Sequence, residues 1–587
     1  MAAREEDATE GGRAGGIGLV PVTVTEGSWG RTLALALGVG ALYAYRLDVP
    51  AFFDNEGRYA AVGREMLLSH DWITPRLDAT LFLNKPPLLY WLTAGLFGAI
   101  GVNEWARLTS VVASVVTLIA VCRLGTLLYD GTTGLLAGTL LASSLGFGLE
   151  ARTMRPDAIL VATVALAVLC WWHAERADPA RRTRWLLGLY AALGIGVLAK
   201  GLPPVIVTAI PVGVAMLRRH GLRGIARLRP ALGLAVMGAI VLPWHVAVSL
   251  RHAGFAWDYV VNQHLLFFLD KKLPRDSTGD PLGFFWIAFC LRALPWIVLV
   301  PLAAREGRAG ARARCSAVED ATCFVWVWML GVLGFFSLAP SRLEHYALPA
   351  LPAAALLAAR GALRLVRGDV GRGAWTAFAA LAIGLVLGGG SFLALRDRLF
   401  AGAYWVSQVP ELPPLIVPGG VLLIAIGIPA TLAAVMRRGG AFVAIVGAGA
   451  VLMLALVTVA QARAEALFSW RPIAEVVRQK VPPATEVVFE APEEYQIVGG
   501  LTFYTGRRIT LLEPPGFVPP TYLQQLAGDM FLHRADFTRR WQSGEPLVFV
   551  SDSQQRRDTA DGLVPPPFRI LAHFGDRWLL TNVPAAD

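Results

Sequence analysis

The first segment between two apolar blocks is rich in charged and polar side chains: Asp54, Glu56, Arg58, Tyr59 and Glu65. If this segment is helical, the spacing places Asp54, Arg58 and Glu65 on one face. A carboxylate there can take the proton of an attacking hydroxyl, and an arginine can bind a phosphate. The alternative is a solvated surface helix with ion pairs. Charges without a function are disfavoured beside a membrane, so we interpret the segment as a candidate site.

Isolated charges near other apolar blocks extend this candidate site. Lys85 follows Asn84 and precedes two prolines, and Lys200 ends an apolar block. Both suit a phosphate, which a lysine binds as a point charge, although a lysine at a span end also reaches the interface without any ligand. Asp157 begins another block behind Arg155. Carboxylates that recur at one membrane depth indicate a site.

Two later segments contribute further polar side chains. His264 lies in the segment 251–280, where a histidine is either a hydrogen-bonded structural residue or a metal ligand. The segment 340–346 precedes a later apolar block, and its residues Arg342, His345 and Tyr346 could add donors to an anion site. Arginine and tyrosine are also common interfacial anchors, so both interpretations of this group stay open.

The composition requires a membrane protein. Hydrophobic residues make up 55% of the 587 residues and charged residues only 16%. The apolar residues come in blocks of about 17–24, the length of a helix that crosses a bilayer. The net charge of +10 comes mostly from arginines in short loops, so it orients helices and does not indicate a nucleic-acid partner.

The arginine-rich loops determine the expected orientation. About 13 blocks are long enough to span, at 31–47, 106–128, 132–149, 157–173, 184–200, 202–217, 231–250, 281–302, 322–339, 346–365, 374–395, 414–435 and 440–461. A shorter block, 86–101, opens with two prolines. If it lies on the outer surface as an interfacial helix, every arginine-rich loop is cytoplasmic; if it crosses, all of them are outside.

The same orientation places the lysines on the outer side. The outer segments are then 48–105, 150–156, 251–280, 340–345, 396–413 and everything after about 462. The chain has five lysines, which all fall in these segments or at an outer helix end: Lys85, Lys200, Lys271, Lys272 and Lys480. Arginine therefore orients the protein, whereas lysine has another role.

After about residue 462 the composition becomes that of a soluble domain. Alternating or β-rich runs are separated by turns and helix-like stretches, at Glu486–Phe489, Leu501–Tyr504, Ile509–Leu512 and Leu547–Val550. The stretch 472–480 is helix-like. These features predict a small external α/β domain of about 120 residues.

Other classes of protein fit the sequence less well. It has neither a P-loop nor a strand-GxGxxG-helix unit. A polytopic transporter or lipid flippase would need ionisable residues at mid-bilayer depth, whereas here the charges crowd one face. A membrane-anchored sensor whose C-terminal domain does the work would leave the charged first loop unexplained.

Several motifs together resemble one family. The segment DNEGRYA, followed by REM, DW and NKPPLLYWL, resembles the pattern D-E-x-R-Y-A, R-E-M, D-W and K-P-P-L-x-Y-W of bacterial lipid A aminoarabinose transferases and protein O-mannosyltransferase-like enzymes. Later stretches are similar to further family motifs: RPD at 155–157, GVLAKG at 196–201, LPWH at 242–245 and the segment 341–349. The resemblance covers about residues 31–350 and implies a C-type glycosyltransferase fold.

The resemblance implies an inverting transfer of a sugar from a polyprenyl-phosphate donor to an acceptor hydroxyl or phosphate at the outer membrane face. Asp54 matches the catalytic carboxylate of the family, and Asp157 matches a second acid that orients acceptor or sugar. Five residues are candidates for binding the donor phosphate: Arg58, Lys85, Lys200, Arg342 and Tyr346. Six more complete the candidate pocket: Glu56, Tyr59, Asn84, His264, Glu344 and His345.

One position departs from the family pattern. Aminoarabinose transferases usually have Glu where this chain has Asn84, and that Glu is associated with a metal. The sequence therefore leaves open whether a divalent metal is a cofactor and whether the sugar is aminoarabinose.

The expected protein is thus a polytopic α-helical membrane protein of the bacterial inner membrane. We expect a disordered cytoplasmic tail at 1–30, a transmembrane glycosyltransferase domain at 31–461 with its first periplasmic loop at 48–105, and a periplasmic soluble α/β domain at 462–587. The expected partners are a polyprenyl-phosphate-linked sugar donor, a lipid or protein acceptor, and membrane lipids.

Overall fold

The computed structural model describes residues 27–273, 279–304, 317–490, 495–513, 521–523, 531–552 and 562–584. Most of the tail predicted at 1–30 lies outside these ranges. The described chain is mostly helical, as predicted, and a six-stranded sheet follows the last long helix.

The longer helices are Gly27–Ala44, Asp54–Ser69, Leu88–Ile100, Leu108–Leu128, Gly131–Ala142, Pro156–Arg176, Pro179–Lys200, Pro203–His220, Pro230–Arg251, Leu282–Arg292, Ala317–Ser337, Leu351–Arg367, Arg372–Leu399, Ile416–Val435 and Gly439–Arg463. The shorter helical elements are Glu104–Arg107, Leu145–Ala151, Gly224–Arg227, Phe255–Trp257, Asp258–Leu266, Trp296–Leu299, Val300–Ala303, Glu344–Ala350, Tyr404–Ser407, Pro413–Leu415, Glu465–Phe468, Arg471–Lys480, Tyr495–Val498, Gly499–Thr505, Thr521–Leu523 and Arg534–Gln542.

The described part of the chain contains fewer clear membrane spans than the sequence predicted. Eight of its helices are long and apolar enough to cross a membrane, or ten if two bent helix pairs each count as one span. Three more predicted spans coincide with the helices Gly27–Ala44, Pro179–Lys200 and Pro203–His220, which carry arginine near an end. The structure therefore confirms a multi-pass helical membrane protein.

Two predicted blocks are interrupted by sharp bends. In the first block, the helix Gly131–Ala142 meets Leu145–Ala151 at a bend of 70°. In the second, Leu282–Arg292 meets the helical stretch Trp296–Ala303 at a bend of 92°. Pro295 accounts for the second bend, because proline lacks the N–H that continues a helix. The bends contact each other, since the Leu145 N–H donates to the Leu294 carbonyl at 3.0 Å.

The helix Leu88–Ile100 corresponds to the predicted interfacial block 86–101. Its 13 residues rise about 20 Å, which is less than the thickness of the hydrocarbon core. It packs closely on the helix Asp54–Ser69, where a Cβ at Gly63 would lie 2.6 Å from Thr93 Cγ2. Its length fits an interfacial position better than a crossing.

A short hairpin lies in the first loop, formed by β1 (Arg76–Leu77) and β2 (Thr80–Leu81). Its turn residues Asp78 and Ala79 have φ of 54° and 62°. Glu65 holds this turn, because its carboxylate accepts the N–H groups of Asp78 at 2.6 Å and Ala79 at 3.0 Å. The helix Asp54–Ser69 and the hairpin therefore form one unit.

Six strands form the C-terminal sheet: β3 (Glu486–Glu490), β4 (Thr510–Leu512), β5 (Phe531–Leu532), β6 (Leu547–Asp552), β7 (Arg569–Phe574) and β8 (Arg577–Thr581). Their order is β5-β4-β3-β6-β8-β7. β5, β4, β3 and β6 pair in parallel, whereas β8 pairs antiparallel with β6 and β7. Apolar residues on the two faces pack against the helices Arg471–Lys480 and Arg534–Gln542.

The β-rich run predicted at Leu501–Tyr504 was wrong. These residues lie in the helix Gly499–Thr505, which packs backbone to backbone on the helix Asp54–Ser69. A Cβ at Gly57 would lie only 2.6 Å from Gly500 Cα. A short apolar run does not distinguish strand from helix, and here the tertiary contact decided the outcome.

Candidate active site

The helix Asp54–Ser69 begins at Asp54, the residue predicted to be the catalytic carboxylate. Phe53 precedes it in an extended conformation, and the Phe53 N–H donates to Glu56 Oε2 at 3.1 Å. A helix N-terminus favours a negative charge. The side chain of Asp54 lies outside the described part of the structure, which therefore gives the position of its backbone alone.

Glu56 holds the first loop to two other segments. Its carboxylate accepts from Arg107 Nε at 2.8 Å and Nη2 at 2.7 Å, and from the Met154 N–H at 2.7 Å. Burial raises the pKa of Glu56, but Arg107 and the backbone N–H groups outweigh burial and lower it. Glu56, expected in the pocket, is an ionised structural acceptor.

Arg107 is a residue that the sequence reasoning missed. It lies beneath the loop and also donates to the carbonyls of Leu47, Pro50 and Ala51, at 3.1, 2.5 and 3.0 Å. Its presence at the start of a predicted apolar block was the available signal, because a buried arginine there requires acceptors.

Arg58 and Tyr59 follow Glu56 in the same helix. The Arg58 guanidinium donates to Asn55 Oδ1 and to Gln496 Oε1, both at 2.7 Å. The Tyr59 ring is buried, with its centroid 6.2 Å from that of Tyr90. Arg58 thus connects the first loop to the residues after about 462, which are called the C-terminal unit below.

Asn84 and Lys85 lie where the loop meets the C-terminal unit. The Tyr522 hydroxyl donates to Asn84 Oδ1 at 2.7 Å, so the oxygen at the family's metal-associated position is already engaged. Among the described residues, no three His, Cys, Asp or Glu side chains lie close enough together to hold a metal ion. The described side chains therefore do not fit a metal at this position. Lys85 is half-buried.

Asp157 and Lys200 form a buried ion pair, as their side chains are 3% and 10% exposed. Asp157 lies in the first turn of the helix Pro156–Arg176, and Lys200 ends the next helix. The Lys200 ammonium lies 5.1 Å from the centre of the Tyr346 ring. Three residues predicted from separate segments are thus in contact.

Glu344 and His345 adjoin this pair. Arg292 forms an ion pair with Glu344, and His345 Nδ1 lies 3.7 Å from Glu344 Oε1. Arg292 reaches the cluster because the helix that carries it ends at a sharp bend. The sequence reasoning missed Arg292, whose signal was a charge inside an apolar block.

Arg155 lies near several of these charges. It pairs with Glu150 at 3.2 Å, and it interacts electrostatically with Asp157, Glu344 and Glu56. The first loop and the Asp157 cluster therefore share one electrostatic environment.

Arg342, a predicted phosphate-binding residue, contacts backbone carbonyls in this structure. Its guanidinium donates to the carbonyls of Asp280 at 2.9 Å and Ser337 at 3.2 Å. Asp280 also accepts the Glu344 N–H through its carboxylate at 2.6 Å. Arg342 therefore fastens the loop that presents Glu344.

His264 makes hydrogen bonds through both ring nitrogens. Nδ1 lies 2.6 Å from the Tyr259 carbonyl, and Nε2 accepts the Leu202 N–H at 3.3 Å. Gly201 has φ of +80°, and a Cβ there would lie 2.4 Å from Nε2. Burial lowers the pKa of His264, and the charge of Lys85 lowers it further. His264 therefore connects the Lys85 and Lys200 regions as a neutral structural residue.

Comparison with known proteins supports the family that the motifs indicated. Residues 84–246 match the family model described as dolichyl-phosphate-mannose-protein mannosyltransferase. The chain is similar to undecaprenyl phosphate-alpha-4-amino-4-deoxy-L-arabinose arabinosyl transferases. The Yersinia enterocolitica protein is 29% identical over 52% of this chain and 54% of its own length. The Pseudomonas aeruginosa protein is 31% identical over 53% of this chain and 56% of its own length. The chain thus spans little more than half the length of these curated relatives.

Solved structures extend the likeness in fold to nearly the whole chain. ArnT from Cupriavidus metallidurans bound to undecaprenyl phosphate has a TM-score of 0.76 at 21% identity, covering 95% of this chain and 99% of that one. The apo structure of the same protein has a TM-score of 0.75 at 22% identity, covering 96% and 99%. The chain therefore has the fold of ArnT, and the resemblance to aminoarabinose transferases and protein mannosyltransferases is confirmed.

Proposed function

We propose that this protein is an inverting glycosyltransferase that moves a sugar from a polyprenyl-phosphate donor to an acceptor hydroxyl or phosphate at the periplasmic membrane face. The observation that carries the proposal is that Asp157, Lys200 and Tyr346, which come from three separate motifs, are in contact. Similarity to arabinosyl transferases named for undecaprenyl phosphate supports the donor class. The transporter or flippase alternative has no support among these relatives.

In the proposed reaction, Asp54 is the general base. The acceptor oxygen attacks the anomeric carbon, the Asp54 carboxylate takes its proton, and the bond from that carbon to the phosphate oxygen breaks with its electron pair. The products are the glycosylated acceptor and polyprenyl phosphate. Asp157, held by Lys200, orients the sugar or acceptor.

The charge that grows on the leaving phosphate needs cationic partners. Lys85 and Lys200 with Tyr346 are the proposed phosphate-binding residues. We propose the same role for Arg58 and Arg342, whose guanidinium groups donate to protein acceptors in this structure, as the Lys200 ammonium does to Asp157. The acceptor is lipid A, protein or another envelope glycan.

Binding of undecaprenyl phosphate to the purified protein in nanodiscs tests the phosphate assignment. Lys85→Met and Lys200→Met should each weaken binding by about tenfold to a hundredfold, because charge-assisted contacts contribute about 1.5–3 kcal/mol. Lys480→Met changes an exposed lysine of the C-terminal unit and should bind like wild type. Unchanged affinity in both site variants would remove the assignment.

The proposed topology has about 13 spans, a cytoplasmic N-terminus and a periplasmic C-terminal unit. Support comes from the helices Gly27–Ala44, Pro179–Lys200 and Pro203–His220, which coincide with the three less apolar predicted spans. The short length of the helix Leu88–Ile100 also supports this topology. In a background without the five native cysteines, cysteines at Gly95 and Val102 should react with an impermeant maleimide from outside. A cysteine at Leu222 should react only from the cytoplasm. Cytoplasmic labelling at 102 would overturn this topology.

A further inference from the structure

The three residues that lead into the helix Asp54–Ser69 are held by side chains. Each of their backbone amides has its own acceptor: Glu465 Oε2 for Ala51 at 3.0 Å, Tyr504 Oη for Phe52 at 2.6 Å, and Glu56 Oε2 for Phe53 at 3.1 Å. Two of these acceptors lie after residue 462. The C-terminal unit therefore holds the backbone that ends at Asp54.

Further contacts come from the same unit. Phe53 forms an isolated antiparallel bridge with Ser469. The Phe52 and Phe503 rings meet edge to face with centroids 5.3 Å apart. The Phe53 ring centroid lies 5.8 Å from that of Phe468. Both side chains of this segment are thus packed against the C-terminal unit.

The acceptors are themselves fixed by a charged network. The Tyr504 hydroxyl donates to Glu104 Oε1 at 2.8 Å, and Arg471 forms an ion pair with Glu104. Arg471 Nη1 lies 3.4 Å from Glu465 Oε1. Burial raises the pKa of Tyr504, so its hydroxyl keeps its proton and accepts from Phe52 while donating to Glu104.

The membrane part holds the opposite side of the segment. Arg107 donates to the carbonyls of Pro50 and Ala51, and its guanidinium carbon lies 5.0 Å from the centre of the Phe52 ring. The segment is thus fixed between a buried arginine of the helical part and two acceptors of the C-terminal unit. Loss of either side would let the first residue of the helix move.

We propose that Tyr504 and Glu465 are positioning residues that set the place of the Asp54 backbone, and hence of the reacting carboxylate. The proposal rests on the proposed function and gives the C-terminal unit a part in the reaction. A displacement of about 1 Å in a reacting group can cost a hundredfold in rate. The effect should therefore fall on turnover and leave donor binding unchanged.

Tyr504→Phe removes the acceptor of the Phe52 N–H and keeps the ring. Initial rates are measured with purified protein and a fixed amount of lipid-extracted envelope, over a dilution series of lipid extract. Both fractions come from a strain that lacks the protein: the envelope supplies the acceptor, and the extract supplies the polyprenyl-linked donor. The maximal rate should fall by about tenfold to a hundredfold, whereas the half-saturating extract concentration stays within about twofold. Hydrogen exchange of the peptide 48–56 should accelerate.

Three further variants control for stability and for hydrogen bonding. Tyr190→Phe removes a tyrosine hydrogen bond to the Leu228 carbonyl, 2.7 Å long, in another part of the helical bundle, and should keep the wild-type rate. Glu465→Gln keeps an oxygen acceptor for the Ala51 N–H and should retain more activity than Glu465→Ala.

The outcomes separate the two proposals. If the wild-type protein turns over and Tyr504→Phe has an unchanged maximal rate, the positioning role is wrong. The same holds if hydrogen exchange of the peptide 48–56 is unchanged in Tyr504→Phe. Either result leaves the proposed function standing. Absence of turnover in wild type would instead count against the proposed function. A rate loss in Tyr504→Phe together with normal rates in Tyr190→Phe supports the positioning role.

Discussion

At the scale of single residues, the neighbours Asp54 and Asn55 determine where the reacting carboxylate lies. The family pattern D-E-x-R-Y aligns without a gap on Glu56, Arg58 and Tyr59, which puts its Asp opposite Asn55. This chain instead has its carboxylate one residue earlier. Successive helical residues point about 100° apart, and Asn55 accepts from Arg58. The two positions are therefore not equivalent.

Exchanging the two residues tests which position serves as the base. Asp54→Asn should lower transfer by about a hundredfold to ten-thousandfold, the usual contribution of a general base. Combining it with Asn55→Asp should not restore transfer, because the new carboxylate would pair with Arg58. Rates are measured in membranes with matched protein levels. Full activity of the double variant would show that a carboxylate at position 55 serves equally well, and would contradict the difference between the two positions.

The sequence identified site residues better than it identified their partners. Asp157, Lys200 and Tyr346 were chosen from separate motifs, and the structure brings them into contact. Glu56 was assigned to the pocket, but its partner Arg107 lies 51 residues away. Such a pair depends on how two helices approach each other, which residue type and local spacing do not determine.

At the scale of elements, close packing between glycines joins the catalytic helix to the C-terminal unit. A Cβ at Gly57 would lie 2.6 Å from Gly500 Cα, and a Cβ at Gly499 would lie 2.5 Å from Arg58 Cα. Backbone atoms cannot rotate away from such contacts. These glycines are thus required for the two helices to approach.

Gly57→Ala should separate these helices. We expect a loss of about 1–3 kcal/mol of stability, as for other overpacked sites, and a lower transfer rate. Gly95→Ala is the matched control, since a Cβ there meets nothing within 4 Å and alanine favours a helix. Thermal unfolding in detergent measures both. An unchanged Tm for Gly57→Ala would contradict the packing.

The predicted secondary structure was correct where the local sequence pattern was strong. It was wrong where a tertiary contact determined the conformation. The predicted stretch 472–480 lies in the helix Arg471–Lys480, and the runs that begin at Glu486 and Leu547 became strands. The run at Leu501 became a helix because its preceding glycines pack on the first-loop helix. Pro295 signalled one bend, whereas the bend after Ala142 had no comparably strong signal.

At the scale of the whole molecule, Asp78 couples the first loop to the C-terminal unit. Its Oδ1 accepts the Ile509 N–H at 3.0 Å and the Thr502 hydroxyl at 3.5 Å. Burial raises the pKa of Asp78 to about 7, and the neighbouring Glu65 carboxylate adds to this, while Arg508 opposes it. The folded protein therefore holds this proton more tightly than the unfolded chain does.

This pKa predicts a pH dependence of stability. An unfolded aspartate has a pKa of about 3.9, so the stabilising contribution is full below that value and is lost as the pH rises to about 7. Asp78→Asn should remove this component, because asparagine stays neutral, keeps the acceptor and tolerates positive φ. The exposed Asp397→Asn should keep the wild-type slope. Equal slopes of Tm between pH 5 and 8 in wild type and Asp78→Asn would contradict the assignment.

A deletion strain tests directly whether this protein transfers a sugar. Its lipid A, glycoprotein and cell-wall glycan fractions are compared with those of the wild type by mass spectrometry. We expect that one fraction loses a sugar, that the corresponding polyprenyl-phosphate sugar accumulates, and that the wild-type gene, but not Asp54→Asn, restores both. A strain in which no fraction loses a sugar would contradict the assignment of this protein as a glycosyltransferase.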